Sequence, residues 1–179
     1  MQPPSVPPPH MYLSCFTNSY GRFGAGACIA GIRAAGLTHV ELAIKTQGVP
    51  SIFGEQPILT DRSTAADVAG VQALLEEHGA SLSSCNITSG NPLEEQVVEI
   101  TLRKLDLAQQ LGVSLVVASA GEAENPAEHA MLLDHLRMIG DAAGERGIVY
   151  CFETHPGLAR NADGMLCAMQ QLDHPQLRL

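Results

Sequence analysis

The chain has 179 residues, 45% hydrophobic and 16% charged, a length and balance that allow one sizeable buried core. Its formal net charge of -9 argues against a nucleic-acid-binding surface, which needs a basic patch. No uninterrupted apolar stretch is long enough to cross a bilayer, so no membrane partner is expected.

Residues 1–10 are proline-rich with no hydrophobic core and read as a disordered leader, the folded domain then spanning 11–179. The first strand is expected over 12–16 and the first helix over 25–35, closed by Gly36. Between them, 21–26 is a poor match to G-x-G-x-x-G and reads as a flexible loop. A second strand over 38–44 is followed by a loop with Pro50, Gly54 and Pro57. The second helix is predicted over 65–78, with Thr64 as N-cap and Gly79 as stop, and the third strand over 82–87. Asn91, Pro92 and Glu94 then read as an N-cap, a first-turn proline and a capping-box-like glutamate. Val97, Ile100, Leu105, Ala108 and Leu111 give that third helix a buried stripe. After a fourth strand over 114–118, Asn125 and Pro126 repeat the helix start. A fifth strand ends at Glu153, a helix follows near 163–172, and 176–179 begins a sixth strand.

Most strands recur at roughly 30 residues, the size of a βαβ unit. Strict alternation implies a parallel sheet with right-handed crossovers, and both a barrel and an open doubly wound sheet satisfy it. The strand tips favour the barrel. Thr17 and Asn18, Glu41, Asn86 and Thr88, Ser119, then Glu153 and His155 are polar, and a barrel gathers such tips at one mouth. The expected fold is a partial (β/α)8 TIM barrel, about five βα units plus the start of a sixth strand.

The segment 148–157 is the most informative. Its apolar run stops at a carboxylate, an imidazole and a Pro-Gly turn. Glu153 and His155 flank Thr154, so an extended backbone points them to the same side. That is a metal-ligand or acid/base arrangement, or else a strand end wetted by solvent. Glu41, between Val40 and Leu42, is paired or functional if it faces the barrel interior, because an isolated buried carboxylate is costly. Facing outward near a helix end, it is structural. The five cysteines form no C-x-x-C pair, and Cys151, two before Glu153, reads as a packing residue. Their odd number, with no signal peptide in the sequence, indicates a reducing cytoplasm.

Val40-Glu41-Leu42, the strand containing Asn86 and above all the segment 152–158, Phe-Glu-Thr-His-Pro-Gly-Leu, resemble the xylose-isomerase-like barrels. That group includes sugar phosphate isomerases and epimerases, inosose dehydratases and the endonuclease IV family. The resemblance implies that Glu153 is catalytic and a ligand to a divalent metal, Mn²⁺, Mg²⁺ or Co²⁺. It also implies a carbohydrate substrate, with His155, Asn18, Glu41 and Asn86 placed to touch it. Endonuclease-like members carry extra metal-binding histidines at early tips. Asn86 and Ser119 stand at the third and fourth tips here, which argues against a trinuclear zinc nuclease. Isomerases complete the metal site with Asp, His and Glu from later strands, and the sequence ends at Leu179, before them. The expected activity of the full-length form is therefore that of a metal-dependent sugar or sugar-phosphate isomerase or epimerase working through an enediolate. An inosose-dehydratase-like lyase and a non-catalytic scaffold are the alternatives. The 179-residue chain alone is expected to be inactive, to bind metal weakly or not at all, and to self-associate.

Overall fold

The computed structural model describes residues 12–179, so the expected leader and Met11 lie outside the described residues. Short runs of small and β-branched residues form six strands: β1 Ser14–Phe16, β2 His39–Ala43, β3 Ser81–Asn86, β4 Leu115–Ala118, β5 Val149–Phe152 and β6 Leu177–Arg178. Five helices follow the first five strands in turn: α1 Gly24–Gly31, α2 Ala65–Glu77, α3 Glu95–Gln110, α4 Pro126–Glu145 and α5 Ala162–Leu172. All strand pairs are parallel, and their spatial order is the chain order. A doubly wound sheet reverses direction at a switch point, whereas this winding never does. The chain folds as part of a TIM barrel.

Local chemistry explains most helix starts. Thr64 and Asp67 form a capping box at α2, with the Thr64 N–H donating to the Asp67 carboxylate at 2.7 Å. Asn125 accepts from the first-turn N–H groups of Ala127 and Glu128 ahead of Pro126, and Asn161 accepts from Gly164 to open α5. The expected start of α3 at Asn91 is corrected: the helix begins at Glu95, with Glu94 at the N-cap position. Asn91 is engaged elsewhere, accepting from the Leu93 and Glu122 N–H groups and donating to the Glu122 carbonyl at 2.9 Å. A tertiary bond to the β4–α4 loop outweighs the local cap. The expected flexible loop at 21–26 is also corrected, since a 3-10 turn, Thr17–Phe23, runs directly into α1. Gly21 (φ 53°) supplies the left-handed residue that lets this run kink.

Strand alternation sets the two faces. Val40, Leu42, Cys85, Val116, Tyr150 and Phe152 are buried in the core cluster with Ile29, Leu105, Leu132 and Leu136 of the helices. Side chains of this kind stabilise the fold by about 1.5–3 kcal/mol each when fully buried. The alternate positions face the barrel interior. Between Val40 and Glu41 the β2–β3 register shifts by one, so that Leu82 pairs with Val40 and Ser84 with Glu41, with Ser83 as the extra residue. No helix among the described residues is long and apolar enough to cross a membrane.

Among the described residues, β1 pairs only with β2 and β6 only with β5, leaving each with an open backbone edge. Open edges template pairing with other chains. Light scattering on the isolated 179-residue polypeptide is expected to report self-association, and a monodisperse monomer would contradict this.

Candidate functional site

The C-terminal ends of β3, β4 and β5 are tied into one platform. The Glu153 N–H continues the ladder to the Ala118 carbonyl at 3.2 Å, and the Ile87 N–H does the same to Val117 at 2.9 Å. Beyond the strands, Leu158 donates to the Gly121 carbonyl at 2.9 Å, and His155 donates from its backbone to Ala159 at 3.2 Å. Gly157 (φ 102°) crosses Gly121 so closely that an added Cβ would collide with its carbonyl oxygen and lie 2.8 Å from the Glu122 Cβ. Only glycine passes there.

On this platform Glu153 and His155 meet as their spacing implied, with His155 Nε2 at 2.8 Å from Glu153 Oε1. Asn86, two strands away at the end of β3, donates from its side-chain amide to the same oxygen at 3.4 Å. Both members of this hydrogen-bonded couple are partly open to solvent, 39% for Glu153 and 45% for His155. Glu153 thus has one oxygen held from two sides and belongs to the mouth rather than to the core. Thr88, Gly90, Ser119 and His155 line a cavity of about 210 Å³ there.

Glu41 faces the interior, which resolves the choice between its two orientations. Its carboxylate accepts from Ser84 Oγ at 2.8 Å, a contact that the extra residue in β3 makes possible. Burial pushes its carboxyl above the ordinary carboxylate range; the Ser84 bond opposes this and the Glu153 charge adds to it. Asn18 lies at the β1 tip, where its oxygen accepts from Lys45 Nζ at 2.7 Å. The predicted residues therefore fall into three neighbouring contacts: Glu153 with His155 and Asn86, Glu41 with Ser84, and Asn18 with Lys45. The Cys151 thiol is pushed up by burial, which keeps it an unreactive packing group.

Sequence reading missed the polar groups contributed by the long β2–α2 connection. Lys45 pairs with Glu55 at 3.6 Å, and Ser51 bonds the same Glu55. Lys45, Ser51, Thr88 and Ser89 line a second cavity of about 370 Å³ beside the first. Asp61, nearly buried, accepts from the Gln47 N–H at 2.7 Å and pairs with Arg103 of α3 at 3.3 Å. Lys104 is completely buried. It had a legible signal, since a lysine seven residues after Val97 and four before Ala108 sits on the apolar stripe of α3.

A carboxylate such as Glu153 is a hard donor of the kind Mg²⁺ and Mn²⁺ take, and one of its oxygens is committed to His155 and Asn86. Among the described residues no group of three His, Cys, Asp or Glu is gathered to hold a metal ion. The described part therefore fits such an ion as a single ligand.

A parallel barrel segment with polar groups gathered at the C-terminal ends of its strands defines the mouth of a (β/α) barrel. The family model for the xylose isomerase-like TIM barrel matches residues 29–179, and the chain belongs to that family. There is no match among curated proteins. A magnesium complex of a xylose isomerase-like TIM barrel protein from Mycobacterium smegmatis is similar in structure, with a TM-score of 0.73 and 15% identity, over 93% of this chain and 62% of that one. D-psicose 3-epimerase, in the presence of D-fructose, has a TM-score of 0.69 and 14% identity, over 93% and 62% of the two chains. A probable 3-DHS dehydratase from Bacillus anthracis, involved in petrobactin synthesis, has a TM-score of 0.68 and 16% identity, over 93% and 61%. The chain thus spans about three fifths of the length of these structures.

Two outcomes follow from this geometry. Gly157→Ala is expected to destabilise the fold by about 2–4 kcal/mol in chemical denaturation, through strain and collision at the β4–β5 crossing. The folded chain holds the Glu41 proton more tightly than the unfolded chain does. Glu41's contribution to stability is therefore full below its ordinary value of 4.5 and lost as pH rises through the raised one. Glu41→Gln keeps an acceptor for Ser84 without the charge, so thermal melts at pH 7 are expected to show a Tm a few degrees above wild type, with the gap closing at pH 4.

Proposed function

We propose that the barrel to which these strands belong is a metal-dependent sugar or sugar-phosphate isomerase or epimerase working through an enediolate. The observation that carries this reading is Glu153 at the tip of β5, with one oxygen held by His155 and Asn86 in the open mouth of the barrel. A carboxylate oriented from two sides loses little freedom when it takes up a ligand. A divalent ion held there would supply positive charge to polarise a substrate carbonyl. Glu153 contributes one oxygen towards holding it. His155 and Asn86 keep the carboxylate aligned, and His155 is open enough to reach a substrate hydroxyl as well. Glu41 and Asn18 provide further polar contacts along the β2 and β1 side, Asn18 being oriented by Lys45. Epimerase names among the similar structures support the same chemistry.

One observation favours a second reading, a lyase: a similar structure bears a dehydratase name. Both reactions begin with removal of a proton beside a carbonyl. They part when a β-hydroxyl leaves as water.

The test is Glu153→Gln in a full-length barrel carrying this sequence, assayed with Mn²⁺ against a panel of ketoses and inososes. Turnover is expected to fall by about 10²–10⁴-fold or more while circular dichroism stays unchanged. Normal activity in that variant would sink the assignment. Release of water from an inosose, with no ketose interconversion, would select the lyase reading.

A further inference from the structure

Lys104 is the one charged side chain among the described residues that is completely buried. Its Nζ donates to the Thr88 carbonyl at 3.0 Å and reaches the Ile87 carbonyl at 3.5 Å. These carbonyls lie just past the last ladder bond of β3, where the strand no longer supplies donors. The turn at 88–90 has few other restraints. Thr88 donates to the Asn86 side-chain oxygen at 3.2 Å, and Ser89 Oγ donates to Ile87 at 2.7 Å. Yet this turn forms the wall shared by both mouth cavities, since Thr88 and Gly90 line the one beside His155 and also the one beside Lys45. A methionine of similar length would fill the same core volume and leave the Thr88 carbonyl without its lysine donor.

We propose that Lys104 is a positioning residue whose amino group, through Thr88 and Ile87, sets the 88–90 turn and with it the partition between the two mouth cavities. The inference goes beyond the proposed reaction and holds whichever ligand the mouth takes. Three other charged groups bear on Lys104. Asp61 of the β2–α2 connection attracts it, Lys45 at the β2 tip repels it, and Arg103 of its own helix is committed to Asp61. Burial is the largest influence and brings the Lys104 amine down to about 7, with Lys45 adding to the shift and Asp61 opposing it. Below neutrality the turn is held by charge-assisted bonds. Above neutrality the same nitrogen is a weaker, neutral donor. The order of the turn is therefore coupled to pH across the physiological range.

Hydrogen–deuterium exchange of the 179-residue chain between pH 6 and 8.5, corrected for intrinsic exchange, tests this. Protection of peptides covering 87–90 is expected to fall about five- to tenfold with a midpoint near 7, while the β4 peptide 114–118 holds constant. Lys104→Met should show low protection of the turn at both pH values, and Lys104→Arg, charged throughout, should remove the midpoint. Constant protection of 87–90 in the wild-type chain overturns the proposal, as does an equal fall in the β4 peptide. These two outcomes are read on the wild-type chain alone, so they decide even if the variants fail to fold. A midpoint that persists in Lys104→Met overturns it too.

Discussion

Everything at the mouth depends on the side-chain alternation of parallel strands whose outer positions are claimed by helices. Val40, Leu42 and Ile44 are drawn into the helix-covered core, which commits Glu41 and Lys45 to the opposite face. The same commitment in β5 buries Tyr150 and Phe152 and turns Glu153 inward. A slip of one residue would exchange every pair. Burial of the apolar set is therefore what aims the polar set, and the site is a consequence of the core.

The β2–β3 bulge refines this arrangement. Without Ser83 as an extra residue, Ser84 would not stand level with Glu41, and the carboxylate would lose its hydroxyl partner. Its raised affinity for a proton reflects what remains: burial and the field of Glu153, only partly offset by one hydrogen bond. Two carboxylates that sense one another across a barrel interior are an unfavourable arrangement for stability alone.

A second polar layer lies behind the first. Asp61 gathers Gln47 and Arg103, and Lys104 holds the end of β3, so the long β2–α2 connection and α3 brace the turn that separates the two cavities. Buried charges of this kind are tolerated because each is paired or bonded. The β3–β5 tips are braced instead through the backbone of the β4–α4 loop: Gly157 lies against Gly121, and the Asn91 side chain bonds the Glu122 backbone. Rigid supports under a solvent-facing carboxylate are what an aligned ligand requires.

Periodicity, punctuation and spacing determined the β–α alternation, the caps at Thr64 and Asn125, and the placing of Glu153 beside His155, because all of these are local. The barrel over the open sheet was inferred from the polar strand tips and decided by the unreversed strand order. The orientation of Glu41 was open in the sequence, since a glutamate between two apolar residues reads alike from either face, and the neighbouring strand's extra residue settled it. Asn91 looked like a cap and became a tertiary bond, because Glu122 of a distant loop offered both a donor and an acceptor. Lys45, Asp61 and Lys104 acquired their roles from partners 10 to 42 positions away, as in the Lys45–Glu55 and Asp61–Arg103 pairs. Chain-local signals report what a residue prefers. Only the closed packing of strands, loops and helices decides which charge meets which, because electrostatic and hydrogen-bond partners are chosen by distance in space.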